Sequence, residues 1–186
     1  AKISDHEYYQ ITGFPNNTTW MLPKMLWVRK NEPENWAKVH KVVQLHDYAL
    51  AMMGVEGYFN DVSDARFSGL WDPYAFKWSD TLLDMFELDR SILPRPESSC
   101  TEVGVVSRGA ATKSGFAAGT PICVGAGDQN SAAVGAGVIN PGEASVSMGT
   151  AGAAVAYTDR PFRDPNRITF VTNHAIYGTW LLEGYQ

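Results

Sequence analysis

The chain has 186 residues, of which 45% are hydrophobic, 12% aromatic and 19% charged. This composition excludes a disordered chain, which has too few apolar residues to form a core, and the 17 glycines and 10 prolines follow no collagen-like period. Fifteen basic against twenty acidic residues give a net charge of −5. Because the sequence has neither a basic patch nor an apolar run of about 20 residues, we expect neither nucleic acid nor a membrane as partner.

Helices dominate the predicted elements of the first half. Apolar spacing over residues 22–30, after Pro23, predicts one helix. A second helix is expected after Pro33, with an inner face at Trp36, Val39, Val42, Val43 and Leu45. A third is expected over residues 47–53, ended by Gly54.

The next stretch combines turn formers with a capped helix. Residues 60–64 (Asn-Asp-Val-Ser-Asp) are typical of turns, so Asp61, Ser63 and Asp64 are predicted turn and cap residues, with a ligand role as the alternative. Ser79 is expected to cap a helix whose inner face holds Leu82, Leu83 and Phe86. Trp27 and Trp78 are expected to be core or packing residues.

After Pro96 strands and helices alternate, which favours an α/β protein. We expect a strand at 103–106, a helix at 108–114 closed by Gly115, a buried strand at 121–124 and a helix of small residues at 128–138. Pro141-Gly142 predicts a turn, and strands follow at 144–147, 153–157, 168–172 and 179–182. Because the chain ends on an apolar strand, we expect a piece of a longer protein.

Cysteines and histidines show no metal-ligand spacing, so no metal site is predicted in the chain itself. Cys123 lies in an apolar run and is expected to be a small buried residue. His174 is expected to be structural. With two cysteines and no signal segment in the sequence, a reducing compartment, the cytoplasm, is the expected location.

The first candidate site is the strand-to-helix junction at residues 125–129 (Gly-Ala-Gly-Asp-Gln). Ligands of open α/β sheets bind beyond the carboxyl ends of strands, so Asp128 is placed where it can take a proton from an attacking hydroxyl. A plain helix N-cap is the alternative. A dinucleotide fingerprint is disfavoured because its third glycine would fall at Asn130.

The second candidate is residues 147–152 (Ser-Met-Gly-Thr-Ala-Gly), between two predicted strands. Glycines let the backbone approach a phosphate, and amides with the Thr150 hydroxyl would be the donors. A simple β-hairpin turn explains the same residues equally well.

Taken together, these segments resemble the FGGY carbohydrate kinases, the family of xylulokinases and glycerol kinases. Residues 24–31 match part of a family signature, and residues 60–65, followed by 70–72 and 77–79, resemble its D-x-S-x-A segment. Residues 125–135 match the segment that holds the catalytic aspartate. Residues 147–152 resemble the S-L-G-T-S-G phosphate motif, with Ala151 in place of the usual serine, and residues 173–175 with Trp180 match a later strand pair.

The resemblance implies specific roles. Asp128 would be the general base on the sugar hydroxyl and Gln129 its neighbour in the sugar site. Gly149, Thr150 and Ala151 would hold the β- and γ-phosphates of ATP, with Mg²⁺ carried by the nucleotide. The substrate would be xylulose or a related ketose or polyol. Residues 61–65 and 173–175 are similar to xylulokinases, whereas Gln129 is similar to glycerol kinases.

The implied fold is that of the actin-like sugar-kinase ATPases, which is ribonuclease H-like, as a partial two-domain piece. Residues 1–140 would be the later part of the N-terminal domain, and residues 141–186 the opening strands of the C-terminal domain. Motifs for the first phosphate loop and for adenine are missing from these residues, so the piece alone is expected to be inactive. Its open strand edges imply either a longer polypeptide or pairing with another chain, as in a homodimer.

Three alternatives remain open. One is a glycerol or other polyol kinase of the same family. Another is a non-catalytic module that binds a sugar or nucleotide without turnover. The third is a nucleotide hydrolase of the same superfamily, which would release ADP without any sugar.

Overall fold

The computed structural model describes residues 2–149 and 152–185. Its helices are α1 Asp5–Thr12, α2 Met21–Asn31, α3 Pro33–Trp36, α4 Leu45–Met52, α5 Asp80–Phe86, α6 Arg108–Ser114 and α7 Asp128–Gly135, with short 3-10 helices at Ala65–Ser68 and Arg90–Ile92. Its strands are β1 Phe59–Asp61, β2 Trp71–Asp72, β3 Lys77–Trp78, β4 Arg95–Glu97, β5 Glu102–Val105, β6 Pro121–Cys123, β7 Ala144–Met148, β8 Gly152–Thr158, β9 Phe170–Asn173 and β10 Trp180–Tyr185.

The strands form one four-stranded sheet and three two-stranded pairs. The large sheet has the order β7-β8-β10-β9 and is antiparallel throughout. The parallel pair is β1 with β4, while β2–β3 and β5–β6 are antiparallel. No described helix has the length and apolar character needed to cross a bilayer.

Two apolar clusters form the core. The larger one lies among α1, α2, α5 and the β2–β3 pair, and it includes Tyr8, Leu22, Leu70, Trp71 and Leu82. The smaller one packs α7 onto the large sheet through Ala133, Val138, Val155 and Leu181. The second cluster therefore fixes α7, and with it the predicted base Asp128, on the sheet.

Buried polar contacts connect the large sheet to the first half of the chain. Arg66 Nη1 lies 2.5 Å from Glu183 Oε1, and both side chains are buried. The indole of Trp71 donates to Asn173 Oδ1 at 2.7 Å. These contacts cross the predicted boundary at residue 140, which stays a prediction.

Most predicted helices are present, with shifted bounds. The helix expected at 22–30 begins at Met21, so Pro23 lies in its first turn, where a missing amide hydrogen is tolerated. Ser79 caps α5 by accepting from the Leu82 amide at 3.3 Å, as predicted. Gly54 and Gly115 follow α4 and α6 with positive φ, as their helix-ending role requires.

The helix predicted after Pro33 is present but far shorter than expected. Helix α3 ends at Trp36, and residues 39–44 contain no helix. The Val42 amide donates to Ile92 O at 2.7 Å, and Lys41 Nζ donates to Ser91 O at 2.5 Å. Pairing with the segment around Ile92 therefore overrides the helical spacing, and the adjacent β-branched valines favour an extended backbone.

Three burial predictions were also wrong. The side chain of Trp27 is 57% exposed, although Trp78 is buried as predicted. In the strand expected to be buried at 121–124, only Val124 is buried, and Cys123 is exposed. Strand β6 pairs with β5 alone among the described strands, and Cys123 on it is open to solvent.

Candidate active site

Asp128 stands at the beginning of α7, directly after the loop that follows β6. Val124, at the start of this loop, is fully buried, and it donates to Thr101 O and accepts from the Cys100 amide, both at 2.8 Å. Asp128 itself is exposed, and its Oδ1 accepts from the Gln129 amide at 2.7 Å. The backbone hydrogen bonds of Val124 thus hold the beginning of the loop in place, and the carboxylate of Asp128 at its end is open to solvent.

The plain N-cap interpretation of Asp128 is not supported. The N-cap of α7 is Gly127, which has no side chain to make a capping bond, and Asp128 is the first helical residue. A carboxylate at this position benefits from the positive end of the helix dipole. Apart from the neighbouring amide, no hydrogen bond to the carboxylate of Asp128 is seen within the described part of the chain.

A buried turn at residues 61–63, in the first half of the chain, is hydrogen-bonded to the loop that precedes Asp128. The Gly127 amide donates to Ser63 Oγ at 2.9 Å. Asp61 Oδ1 accepts from the Ser63 amide at 2.8 Å and also from the Ser63 hydroxyl, while its Oδ2 accepts from Ser99 Oγ at 2.6 Å. Burial raises the pKa of Asp61, and the hydrogen bonds from Ser63 and Ser99 oppose this rise. The predicted turn role of Asp61 is confirmed.

Asn130 packs against Gly127 of the same loop. A Cβ on Gly127 would lie 2.8 Å from Asn130 Oδ1. Asn130 is fully buried, and its Nδ2 donates to Asn173 O at 2.8 Å. Only glycine fits at position 127 without moving Asn130.

A histidine between two carboxylates lies behind the same turn. His46 Nε2 is 2.9 Å from Asp47 Oδ1, and His46 Nδ1 is 3.1 Å from Asp64 Oδ2. Burial disfavours the protonated ring, but the hydrogen bonds and negative charges of the two aspartates outweigh it and raise the pKa of His46 to about 10. The ring is therefore an imidazolium at neutral pH. It connects α4 to the turn at residues 60–64.

The second candidate segment lies where two antiparallel strands pair. Strands β7 and β8 are antiparallel, and their pairing extends to Met148 and Gly152. Gly149 is exposed, whereas Thr150 and Ala151 lie outside the described residues. The hairpin is confirmed, and the phosphate role of Gly149, Thr150 and Ala151 stays a prediction. Gly149 makes no hydrogen bond to residues 128–129 in the described structure.

His174 is structural, as predicted. It is fully buried, with Nε2 2.9 Å from Val138 O and Nδ1 accepting from the Ile176 amide at 3.2 Å. Burial lowers the pKa of the ring, against the hydrogen bond to Val138, so the ring is neutral. Its role is to fix the chain after α7 against the sheet.

Sequence reasoning missed part of the surroundings of Asp128. Ser63 and Gly127 are 64 positions apart, and no spacing rule connects them. Ser99, Asn130 and His46 gave no signal of their own in the sequence. Among the described residues, no group of three or more histidine, cysteine or acidic side chains could hold a metal ion.

Comparison with known proteins gives these residues a context. Residues 1–135 match the family described as "FGGY family of carbohydrate kinases, N-terminal domain". The xylulose kinase of Lactococcus lactis subsp. lactis is 33% identical over 157 residues, covering 84% of this chain and 31% of that protein. The autoinducer-2 kinase of Yersinia enterocolitica is 31% identical over 172 residues, covering 92% of this chain and 32% of that protein. The chain thus spans about a third of the length of these curated relatives.

The fold is shared with a solved structure. The crystal structure of xylulose kinase from Rhodospirillum rubrum superimposes with a TM-score of 0.90 at 21% identity, covering 99% of this chain and 37% of that chain. This likeness confirms the predicted actin-like sugar-kinase fold, present here as a partial span.

Proposed function

The chain belongs to the FGGY family of carbohydrate kinases, and from this membership we propose that the polypeptide carrying it transfers the γ-phosphoryl group of ATP to a hydroxyl of a sugar or polyol. The observation that carries the proposal is the placement of Asp128. Its carboxylate is exposed at the first residue of α7, beyond the carboxyl end of β6.

The proposed step is an in-line phosphoryl transfer with Asp128 as general base. The hydroxyl proton passes to the carboxylate of Asp128 as the sugar oxygen bonds to the γ-phosphorus. The bond from that phosphorus to its bridging oxygen breaks, and ADP keeps the electron pair. Asp128 is exposed in the first turn of α7, so a substrate hydroxyl could approach its carboxylate without displacing other residues.

The segment at residues 149–151 is the proposed phosphate contact. Gly149 is exposed where β7 ends, so its backbone is accessible to a bulky anion. Gly149, Thr150 and Ala151 would hold the β- and γ-phosphates, through backbone amides and the Thr150 hydroxyl. Mg²⁺ would arrive with the nucleotide and offset charge on the phosphates.

The substrate class is a ketose or polyol. Similarity to a xylulose kinase and to an autoinducer-2 kinase at comparable identity supports the broad class, with xylulose as the first sugar to test. Gln129 is half-buried beside Asp128, and it would contact the sugar. Use of ATP agrees with the expected cytoplasmic location. Since the chain spans about a third of its relatives, we propose that these 186 residues alone do not turn over.

The decisive assay measures ADP release by the complete polypeptide with ATP, Mg²⁺ and a panel of ketoses and polyols. A signal that depends on one sugar supports the kinase and identifies its substrate. ADP release without sugar would instead indicate a hydrolase, and binding without turnover would indicate a non-catalytic module.

Asp128→Ala should abolish transfer while nucleotide binding remains. General-base catalysis contributes about 10²–10⁴-fold, so kcat should fall at least about 100-fold. Asp84→Ala is the matched control, since Asp84 is another exposed aspartate on a helix, α5, and its kcat should not change. A kcat of Asp128→Ala above about one hundredth of the unsubstituted value would rule out the base assignment.

A further inference from the structure

We propose that Ser63 is a positioning residue for Asp128, and that the Asp61–Ser63 turn fixes the position of the Asp128 carboxylate. This inference rests on the proposed function. It assigns to a buried turn in the first half of the chain a part in a reaction whose base lies 65 positions later in the sequence.

The connection is direct and short. Ser63 is fully buried, and its Oγ accepts the Gly127 amide hydrogen at 2.9 Å. Gly127 is the residue immediately before Asp128, so one peptide unit separates the hydrogen bond from the base. A shift of the Gly127 amide is therefore carried into the backbone of Asp128.

The direction of the Ser63 hydroxyl is itself fixed. A serine hydroxyl has one hydrogen, and that of Ser63 is donated to Asp61 Oδ1. The lone pairs of Ser63 Oγ are then left for the Gly127 amide. Asp61 is held in turn by the Ser63 amide and by Ser99 Oγ. The Ser63 hydroxyl is thus held in one orientation as an acceptor and is not free to rotate.

The beginning of α7 has no side-chain capping bond. Gly127 is the N-cap of α7 and brings no side chain that could cap the free amides. On its other side, Gly127 lies against Asn130, which is bonded to Asn173 O. Ser63 and Asn130 together hold the loop between the turn and the sheet. Displacement of a catalytic group by about 1 Å can cost roughly 100-fold in rate.

The test compares Ser63→Ala with Ser68→Ala in the complete polypeptide. Ser68 is also fully buried, and its Oγ accepts one backbone amide, that of Leu70, at 3.0 Å. Both variants lose a buried hydroxyl, but only Ser63→Ala releases Gly127. We expect kcat of Ser63→Ala to fall about 10- to 100-fold with the KM for ATP within about twofold. Ser68→Ala, which loses one hydrogen bond and leaves Gly127 held, should keep its kcat.

Amide hydrogen exchange supplies a readout that does not depend on activity. Exchange of the segment at residues 127–129 should be faster in Ser63→Ala than in Ser68→Ala. Equal kcat values for the two variants, or equal exchange at this segment, would overturn the positioning role. Absence of sugar-dependent ADP release by the unsubstituted protein would refute the proposed function instead.

Ser99→Ala replaces Ser63→Ala if the latter does not fold. Ser99 is only half-buried, and its substitution removes a single hydrogen bond to Asp61. A several-fold lower kcat at unchanged KM for ATP is expected, and an unchanged kcat would overturn the proposal.

Discussion

Gly127 shows how a single residue next to Asp128 is constrained by space and not by backbone conformation. Its φ of −53° is accessible to any residue, so alanine would meet no backbone strain there. The added Cβ would instead lie 2.8 Å from Asn130 Oδ1. Asn130 is fully buried and bonded to Asn173 O, and therefore has little room to move.

Gly127→Ala should therefore destabilise the protein by about 1–3 kcal/mol, the usual cost of overpacking. The measurement is the free energy of unfolding in urea. Gly125→Ala, in the same loop, is the control, because a Cβ on Gly125 meets nothing within 4 Å. Equal stabilities of the two variants would show that Asn130 moves aside at little cost.

The same region shows what the sequence can and cannot predict about single residues. Asp128 was found because a glycine-rich strand end followed by an acid is a local pattern, one that the family resemblance reinforced. Ser63 was recognised only as a turn residue, since its bond to Gly127 depends on how distant segments fold together. Trp27 and Cys123 were misjudged for a related reason: hydrophobicity alone does not say whether a neighbour covers the side chain.

At the scale of elements, His46 joins α4 to the turn at residues 60–64. The groups facing its ring are Asp47 on α4 and Asp64 in the turn, with Asn60 Nδ2 3.4 Å from Nε2. The pKa of His46 is raised from its ordinary 6.5 to about 10, so the folded state holds the proton more tightly than the unfolded state. The stabilisation is fully present below pH 6.5 and is lost as the pH rises through about 10.

His46→Gln should therefore cost more stability at low pH than at high pH. We expect the difference in free energy of unfolding from the unsubstituted protein to be largest near pH 6 and to shrink by pH 10, as measured by urea unfolding at each pH. His40→Gln, at an exposed histidine, is the control and should show no such trend. A difference that is independent of pH would show that His46 contributes by packing and not by charge.

Elements with their own local signals were predictable from the sequence. Helix α5 begins at its Ser79 cap, and helix α6 ends at Gly115. Turn-forming residues separate the predicted strands of the large sheet. The prediction for the segment after α3 failed because the hydrogen bonds of this segment go to residues 91–92, about 50 positions away. Helical spacing is a weak signal when tertiary pairing competes with it.

At the scale of the whole molecule, one buried ion pair joins the two halves of the chain. Arg66 and Glu183 are both buried, and Glu183 Oε1 also accepts from Thr172 Oγ1 at 2.9 Å. Arg66 also lies over the rings of Phe14 and Phe67, with its Cζ 5.5 and 4.5 Å from their centroids. The charged pair is therefore enclosed where the first-half core meets the sheet.

Glu183→Leu should destabilise the protein by about 3–5 kcal/mol, because it leaves the buried Arg66 charge without this carboxylate. Unfolding in urea measures the loss. The double variant Arg66→Met/Glu183→Leu should recover much of it, since a hydrophobic pair of similar volume needs no charge compensation. If the double variant is no more stable than Glu183→Leu, packing rather than charge explains the loss.

The contact between α1 and β9 has a consequence for synthesis of the protein in the cell. Tyr9 donates its hydroxyl hydrogen to Thr169 O at 2.5 Å, across 160 positions of sequence, and the Val171 amide donates to Gly13 O at 3.1 Å. A ribosome adding about 5–20 residues per second needs roughly 8–32 s to make the intervening chain. For that interval the nascent α1 lacks the strand that it finally packs against, because Thr169 and Val171 have not yet been translated.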